Sequence, residues 1–229
     1  MVESSPLVAN GTVYAADQNG YVYAFAARTG QLRWRYDTGA PIKASPSLAY
    51  GRIYIGNYAG QVFALAARTG RLAWHSGGYG NFYSTASVNA GRVYVGSLDG
   101  FVYAFSARTG ALLWRFGTDG YIYASPAVWN GLVLVGSYDH VFYALEGNTG
   151  SLRWTYQARA SISGAASVVD GIVYFSSFDH RTYGLLAASG RLRIEWRDGE
   201  YSPVVAGNGR VYLVGLGRIY ALAPVRPGR

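Results

Sequence analysis

One pattern of eight residues recurs along this chain at a fixed interval, and it constrains the fold more than any other feature. It contains a Thr-Gly pair, then a leucine and a tryptophan, and each tryptophan follows the previous one after 40 residues. The copies occupy 27–34, 67–74, 107–114 and 147–154. A fifth copy, 188–194, keeps its glycine in phase but has Ile194 where the tryptophan is due. A period of this length indicates a solenoid, a propeller or another array of repeated units.

Each repeat contains four short segments that alternate like β-strands, and we label them a to d in chain order. Strand a follows a Ser-Pro pair or its equivalent, and a turn such as Asn10-Gly11 connects it to strand b. Such a dipeptide between alternating apolar runs is a strong hairpin signal. Strands b and c are rich in aromatic and β-branched residues, which favour strand over helix. In the Thr-Gly turn before strand d, Gly30 and its equivalents are expected to supply the positive φ of a tight hairpin.

Four antiparallel strands with short turns, repeated with no helical segment between them, predict the blade of a β-propeller. We therefore predict an all-β β-propeller of six four-stranded repeats in one domain, 1–229. The repeats are 5–44, 45–84, 85–124, 125–164, 165–201 and 202–229. The last repeat ends at strand c and lacks its fourth strand, so either one blade has three strands or the chain is part of a larger propeller. The tryptophans of the pattern are expected to pack between blades, whereas Trp129 and Trp196 lie outside that column.

The composition excludes several classes of function. The chain has 229 residues and no cysteine, which rules out disulfides and thiolate metal sites. It has no run near the roughly 18 apolar residues of a membrane helix, and we expect a soluble protein. The serine-hydrolase elbow, the phosphate-binding loop, the zinc-protease motif and the calcium loop are all missing from the sequence.

The blade topology divides the charged residues between two ends. The a–b and c–d turns lie at one end of a blade, here the tight-turn end, and the b–c and d–a loops lie at the other, here the loop end. The tight-turn end collects Arg28, Arg52, Arg68, Arg71, Arg92, Arg108, Arg191 and Arg210. The loop end collects Glu3, Asp17, Asp37, Asp99, Asp119, Asp139, Asp179, Asp198 and Glu200. The net charge of +8 does not by itself indicate nucleic acid, because nucleic-acid grooves interleave aromatic rings with basic charge and the aromatic residues are expected at the opposite end.

Seven tyrosines outside the strand b and c columns map to the loop end, and loops on a rigid scaffold often carry binding residues. They are Tyr58, Tyr79, Tyr83, Tyr121, Tyr123, Tyr138 and Tyr201. The d–a loop position of Tyr83 and Tyr123 holds Lys43 in the first such loop, the only lysine of the chain. If a ring closes, Glu3, Lys43 and Glu200 would be neighbours, as a solvated ion cluster or as a ligand site.

Two Asp-His pairs lie 40 residues apart, on equivalent b–c loops of adjacent blades. They are Asp139-His140 and Asp179-His180. Histidine beside a carboxylate can bind a metal or act as a general base. The alternative, which we favour, is that both histidines replace the turn glycines found at positions 20, 60 and 100.

The segment from Tyr103-Ala104-Phe105 to Trp114 resembles the repeat of the pyrroloquinoline quinone (PQQ) β-propeller family. That family includes quinoprotein alcohol dehydrogenases and the non-enzymatic propeller lipoprotein of the bacterial outer-membrane β-barrel assembly machine. The resemblance implies an eight-bladed parent and an extracytoplasmic location, periplasmic or at the cell surface. The aspartate usual in the family's turn strand is replaced here by Ala26, Ala66, Ser106, Glu146 and Leu186.

The sequence thus predicts a non-catalytic scaffold that binds a protein or a glycan at its loop end without a cofactor, as a monomer or as an oligomer sealed through an open edge. The candidate binding residues are Lys43, Tyr58, Tyr83, Tyr121, Tyr123, Tyr138, Asp139, His140, Asp179, His180 and Glu200. The alternative is a quinoprotein-type oxidoreductase that binds PQQ with calcium at a central funnel. The resemblance implies an adjacent-cysteine disulfide for such enzymes, and this chain has no cysteine.

Overall fold

The structure is a computed structural model, and it describes residues 1–77, 79–200, 204–207, 210–215 and 217–222. Within these ranges the chain forms 23 β-strands in six antiparallel sheets. Each sheet keeps its strands in chain order, so the a strand and the d strand are the edges of the five four-stranded sheets. Among the residues described, no helix has the length and hydropathy needed to cross a membrane.

The chain divides into two compact units, Met1–Pro126 and Ala127–Arg229. The first unit contains three four-stranded sheets, blades 1 to 3. Blade 1 is β1 (Leu7–Ala9), β2 (Thr12–Ala16), β3 (Tyr21–Ala26) and β4 (Leu32–Asp37). Blade 2 is β5 (Ser47–Ala49), β6 (Arg52–Gly56), β7 (Val62–Ala66) and β8 (Leu72–Ser76). Blade 3 is β9 (Ser87–Asn89), β10 (Arg92–Gly96), β11 (Phe101–Ser106) and β12 (Leu112–Gly117).

Over the residues that the structure describes, the second unit contains blades 4 and 5, with four strands each, and blade 6, with three. Blade 4 is β13 (Ala127–Trp129), β14 (Leu132–Gly136), β15 (Val141–Glu146) and β16 (Leu152–Gln157). Blade 5 is β17 (Ser167–Val169), β18 (Ile172–Ser177), β19 (Arg181–Leu186) and β20 (Leu192–Trp196). Blade 6 is β21 (Val205–Gly207), β22 (Arg210–Gly215) and β23 (Arg218–Leu222). The prediction of an all-β propeller of six repeats whose last blade lacks its fourth strand is confirmed.

The two hairpin turns of blades 1 to 5 have the backbone that the sequence predicted. In the a–b turn of blade 1, Asn10 and Gly11 have φ values of 49° and 67°. Two successive positive φ values define the type I′ turn, whose twist matches that of the flanking strands. In the c–d turn, Gly30 has a φ of 70°, and the equivalent glycines of blades 2 to 5 are also positive. The repeat therefore encodes both turns locally, through residues that tolerate this conformation.

The pattern tryptophans connect neighbouring blades, as predicted. The indole Nε1 of Trp34 donates to the carbonyl of Ala67 at 2.9 Å, and that of Trp74 donates to Ala107 at 3.0 Å. In the second unit Trp154 donates to Ala187 at 3.0 Å. Each acceptor lies in the c–d turn of the following blade, so one residue type supplies both apolar packing and a polar link between sheets.

The Ser-Pro signature before strand a also has a structural reason in the first unit. The backbone N–H of Ser5 donates to Oγ of Ser45 at 2.9 Å, and that of Thr85 donates to Oγ of Ser125 at the same distance. The N–H of Ser45 donates to Oγ1 of Thr85 at 3.3 Å. A hydroxyl at this position therefore satisfies a backbone donor of the preceding repeat, which explains why serine or threonine recurs there.

The residue between the leucine and the tryptophan of the pattern lies at a bulge. Between β3 and β4, Ala24 pairs with Trp34 while Phe25 pairs with Leu32, which leaves Arg33 without a partner across the strands. The same shift occurs in blades 2 to 5. The bulged residues are exposed, so this position of the repeat accepts almost any side chain.

The two tryptophans outside the pattern pack within the second unit. Trp129 in β13 is partly buried against the apolar core of blades 4 and 5. Trp196 at the end of β20 meets Tyr220 in an edge-to-face pair with ring centroids 5.0 Å apart. Both side chains therefore contribute to packing.

Candidate binding surface at the loop end

Lys43 and Glu3 meet at the loop end of the first unit. The Nζ atom of Lys43 lies 3.4 Å from Oε2 of Glu3. The same ammonium lies 5.4 Å from the ring centroid of Tyr58 and 5.7 Å from that of Tyr83, within the range of a cation–π contact. The pKa of Lys43 is raised above its ordinary value, first by the electrostatic effect of Tyr58 and then, against partial desolvation, by Glu3.

Four tyrosines from the loops of blades 2 and 3 continue from Lys43 in one connected row. The ring centroids of Tyr58 and Tyr83 are 6.3 Å apart, and those of Tyr83 and Tyr123 are 5.1 Å apart. Tyr121 lies 6.4 Å from Tyr123, and its side chain is 57% exposed. We call Lys43, Tyr58, Tyr83, Tyr123 and Tyr121 the tyrosine row. Tilted and edge-to-face pairs at these distances attract each other, so the rings hold one another in place.

The tyrosine row ends in a cleft of about 430 Å³. The cleft is lined by Gly80, Asn81, Leu98, Asp99, Tyr121 and Tyr123. One of its walls is fixed by a hydrogen bond of 2.9 Å from the backbone N–H of Gly80 to Oδ2 of Asp99. A concave site with aromatic and apolar walls and a few fixed polar atoms is the usual form of a binding pocket.

The aspartates of the b–c loops carry a structural role that the sequence analysis missed. The hydroxyl of Tyr103 donates to Oδ2 of Asp99 at 2.6 Å, and Tyr143 makes the same contact with Asp139. Further Tyr-to-Asp hydrogen bonds of this kind are Tyr23 to Asp17, Tyr183 to Asp179 and Tyr220 to Asp198. The recurring spacing of Asp and Tyr in blades 3 to 5 was the available signal. These carboxylates hold the strand c tyrosines, so five of the acidic residues at the loop end also have a structural role.

The pair of Asp99 and Tyr103 leads to a prediction about acid stability. Burial alone would raise the pKa of Asp99, but hydrogen bonds from Tyr103, Ser97 and the backbone of Phe101 and Gly80 outweigh it and lower that pKa below 3.8. The folded state therefore binds the proton of Asp99 more weakly than the unfolded state does. The ionised carboxylate stabilises the fold at pH values above the unfolded-state pKa, and this stabilisation is lost as the pH falls through the lowered pKa of the folded state.

We expect Asp99→Asn to lower the free energy of unfolding by at most about 1 kcal/mol at neutral pH, because a charged acceptor becomes a neutral one at an exposed position where solvent screens the charge. The difference between wild type and variant should shrink as the pH falls below the ordinary carboxyl pKa and vanish below the lowered pKa of Asp99 in the folded state. Urea unfolding of the wild type and of the variant, from neutral to acidic pH, measures this difference in stability. A difference independent of pH would show that the charge of Asp99 does not stabilise the fold.

The two histidines of the Asp-His pairs lie at turn positions with positive φ, 73° for His140 and 59° for His180. Both are exposed, and the turn glycines at positions 20, 60 and 100 have the same sign of φ. Asp179 accepts from Tyr183 at 2.6 Å and pairs with Arg181 at 3.2 Å. The histidines therefore replace turn glycines, as the favoured interpretation held, and no group of three or more His, Cys, Asp or Glu in the described ranges could hold a metal ion.

The remaining candidates lie in the second unit or outside the described residues. Tyr138 packs against Phe178 with ring centroids 5.8 Å apart. The backbone N–H of Glu200 donates to the carbonyl of Val214 at 2.7 Å. Tyr79 lies in the d–a loop after β8, where its ring packs 4.7 Å from that of Tyr103, next to the core of blades 2 and 3. Tyr201 lies outside the described residues.

Repeated antiparallel sheets of four strands, linked within each unit by the pattern tryptophans Trp34, Trp74 and Trp154, define the protein class as a β-propeller. A family model described as outer membrane protein assembly factor BamB matches residues 2–82 and 80–229. The chain therefore belongs to this family of PQQ-like β-propellers, and the resemblance found in the repeat is confirmed. A comparison with curated protein sequences finds no match.

Several solved structures share the fold at low sequence identity. BamB from Moraxella catarrhalis is 22% identical with a TM-score of 0.82, covering 92% of this chain and 69% of that one. A quinohemoprotein alcohol dehydrogenase from Comamonas testosteroni is 18% identical with a TM-score of 0.78, covering 93% of this chain and 51% of that one. The computationally designed Ika8 protein is 16% identical with a TM-score of 0.86, covering 96% of this chain and 70% of that one. The chain thus spans about half the length of the dehydrogenase, and at these identities the likeness is one of fold.

Proposed function

We propose that this chain is a non-catalytic assembly scaffold that holds a protein partner at the loop end of its first unit. The membership in the BamB family supports a scaffold or assembly role. The observation that carries the proposal is the tyrosine row, five interacting side chains that lead into a cleft of about 430 Å³. A hydrogen bond from the backbone N–H of Gly80 to Asp99 fixes one wall of that cleft.

The chemistry of the tyrosine row suits a protein surface. Tyrosine is enriched among the residues that dominate binding energy at interfaces, because it offers a large rigid ring with a polar end. Lys43 contributes little free charge, since Glu3 lies 3.4 Å from its ammonium. The rings of the row are tilted by 59° to 85° against each other and form an uneven surface. An apolar or aromatic side chain of a partner inserted at Tyr121 and Tyr123 would complete such an uneven surface better than the C–H face of a sugar, which stacks on one open aromatic ring.

Photo-crosslinking tests this proposal at a single exposed position. A photoreactive phenylalanine derivative in place of Tyr121 should give a discrete protein adduct in an extract of the source cells. In the matched control the photoreactive residue replaces Tyr50, which is 62% exposed and lies at the tight-turn end. This control variant should give no discrete protein adduct. Adding Tyr83→Ala and Tyr123→Ala should reduce the Tyr121 adduct at least tenfold while the melting temperature shifts by only a few degrees. An adduct that survives both substitutions, or one that contains only glycan, would contradict the proposal.

The residues of this chain disfavour the alternative function, a quinoprotein-type oxidoreductase. The chain has no cysteine, so it lacks the adjacent-cysteine disulfide that the resemblance implies for such enzymes. In the second unit the carboxylates of Asp139 and Asp179 accept hydrogen bonds from Tyr143 and Tyr183. These residues give no support to a calcium–quinone site. Titration with PQQ and calcium separates the two functions, and saturable binding together with dye-linked alcohol oxidation would favour the enzyme.

A further inference from the structure

We propose a second binding site, at the tight-turn end of blades 2 and 3, for a small ligand that joins a flat ring to an anionic group, of which a nucleoside monophosphate is the best example. The site is a cleft of about 310 Å³. It is lined by Tyr50, Arg52, Gly91, Ala107 and Arg108. It shares no residue with the tyrosine row and does not depend on the function proposed there.

Tyr50 supplies the aromatic wall of this cleft. It occupies the first position of the a–b turn of blade 2 with a φ of 50°, and its side chain is 62% exposed. Its hydroxyl accepts a hydrogen bond of 2.9 Å from the backbone N–H of Gly91 in the next blade. The ring is therefore held at its polar end, while much of its surface stays accessible. The sequence analysis placed the exposed aromatic residues at the loop end, and Tyr50 corrects that generalisation.

Two arginines supply the charge. Nη1 of Arg52 donates to the carbonyl of Ala107 at 2.8 Å and to that of Arg108 at 2.9 Å, so neutral oxygens fix its guanidinium. Arg108 lies in the c–d turn of blade 3 and is exposed. Over the part of the chain that the structure describes, neither arginine forms a salt bridge. Two uncompensated positive charges at one cleft attract an anion, and guanidinium groups bind phosphate and carboxylate through paired N–H donors.

This combination occurs at one place in the repeat array. The residues equivalent to Tyr50 are Asn10, Ala90, Asn130, Asp170 and Asn208. The residues equivalent to Arg52 are Thr12, Arg92, Leu132, Ile172 and Arg210. Asparagine and aspartate tolerate the left-handed conformation of this turn better than tyrosine does. Turn formation therefore does not explain a bulky aromatic residue at this disfavoured position. Its place beside two arginines points to binding.

The size of the cleft and its single ring select the ligand class. About 310 Å³ is at the lower end of the range for small-molecule pockets, which runs from roughly 300 to 1,000 Å³. Single-stranded nucleic acid normally needs several stacking rings along a basic groove, and this cleft has one. A nucleoside monophosphate matches it better, with its base against the ring of Tyr50 and its phosphate at the guanidinium of Arg108, next to the fixed charge of Arg52.

Calorimetric titration of the full chain with AMP, adenosine and inorganic phosphate tests the site. We expect saturable binding of AMP, with adenosine and phosphate each at least tenfold weaker because each lacks one half of the recognition. Tyr50→Asn removes the ring and introduces the residue that the equivalent turns of blades 1 and 4 use. Arg108→Ala removes the exposed charge, and each substitution should weaken AMP binding at least tenfold.

The matched control is Arg68→Ala, the equivalent arginine of blade 2, whose neighbours at the corresponding turn positions are Asn10 and Thr12. It should leave AMP binding unchanged. The proposal is overturned if AMP shows no saturable binding, if phosphate or adenosine alone binds as tightly as AMP, or if Arg108→Ala and Arg68→Ala have equal effects. Arg68 and Arg108 are both exposed, and Arg68→Ala and Arg108→Ala both keep the glycine of their turn, so misfolding does not confuse the comparison.

Discussion

Replacing Trp74 with alanine is expected to lower the free energy of unfolding by about 3 to 5 kcal/mol, the cost of removing a large buried aromatic side chain. Trp74 is 8% exposed and packs 5.9 Å from the ring of Tyr54. Its indole N–H also donates to the carbonyl of Ala107 at 3.0 Å. The substitution therefore opens a cavity between blades 2 and 3 and removes a hydrogen bond across it. Urea denaturation followed by tryptophan fluorescence and far-UV circular dichroism measures the loss.

The control for Trp74 lies two residues earlier in the same strand. Leu72 is 41% exposed at the outer edge of blade 2, and its truncation to alanine should cost less than about 1 kcal/mol. The comparison separates packing between blades from strand propensity, because both substitutions are in β8. If the two variants were equally stable, the tryptophan column would not be what holds adjacent blades together.

Gly110→Ala is expected to destabilise the fold by about 2 to 5 kcal/mol, combining left-handed backbone strain with overpacking. Gly110 has a φ of 77°, which an alanine adopts only with strain. A Cβ atom at this position would lie 2.6 Å from Cε3 of Trp74, a distance that forces the indole to move. The c–d turn glycine is thus required twice, once for its backbone conformation and once for the space it leaves to the tryptophan of the preceding blade.

The c–d turn of blade 1 offers the matched control for this double requirement. Gly30 has a φ of 70°, and nothing lies within 4 Å of a Cβ built there. Gly30→Ala should therefore cost only the backbone strain, about 1 to 2 kcal/mol. In addition, the double variant of Gly110→Ala with Trp74→Ala should lose less stability than the two single losses added together, because the clash disappears with the indole. Equal losses of stability for Gly30→Ala and Gly110→Ala would mean that displacing the indole of Trp74 requires no free energy.

The sequence predicted the blades because the period itself carries the information. Positions 40 residues apart share turn glycines, strand alternation and a tryptophan, so the strand boundaries, the open sixth blade and the role of Trp74 follow from alignment of the repeats. The grouping of Tyr58, Tyr83, Tyr121 and Tyr123 followed from topology as well, since strand ends that share one side of a blade bring their loops together.

Periodicity did not predict which side-chain atoms meet, and there the sequence analysis fell short. Tyr79 and Tyr83 lie on the same loop, yet Tyr79 turns toward Tyr103 while Tyr83 joins the tyrosine row. The hydrogen bond from Tyr103 to Asp99 depends on the conformation of a b–c loop, which the count of charges could not supply. The cleft beside Tyr50 arises where one repeat departs from the others. The residues that the repeats share therefore do not predict it.

The bulge in each d strand makes this chain well suited to site-directed labelling. Ala73 and Leu113 are the bulged residues of blades 2 and 3, and both are exposed. Because the protein contains no cysteine, a thiol introduced at either position would be unique. The substitution would also leave the adjacent tryptophan in its packed position. Spin labels at pairs of such positions would report distances between blades in solution, with one attachment point available for every repeat that carries a fourth strand.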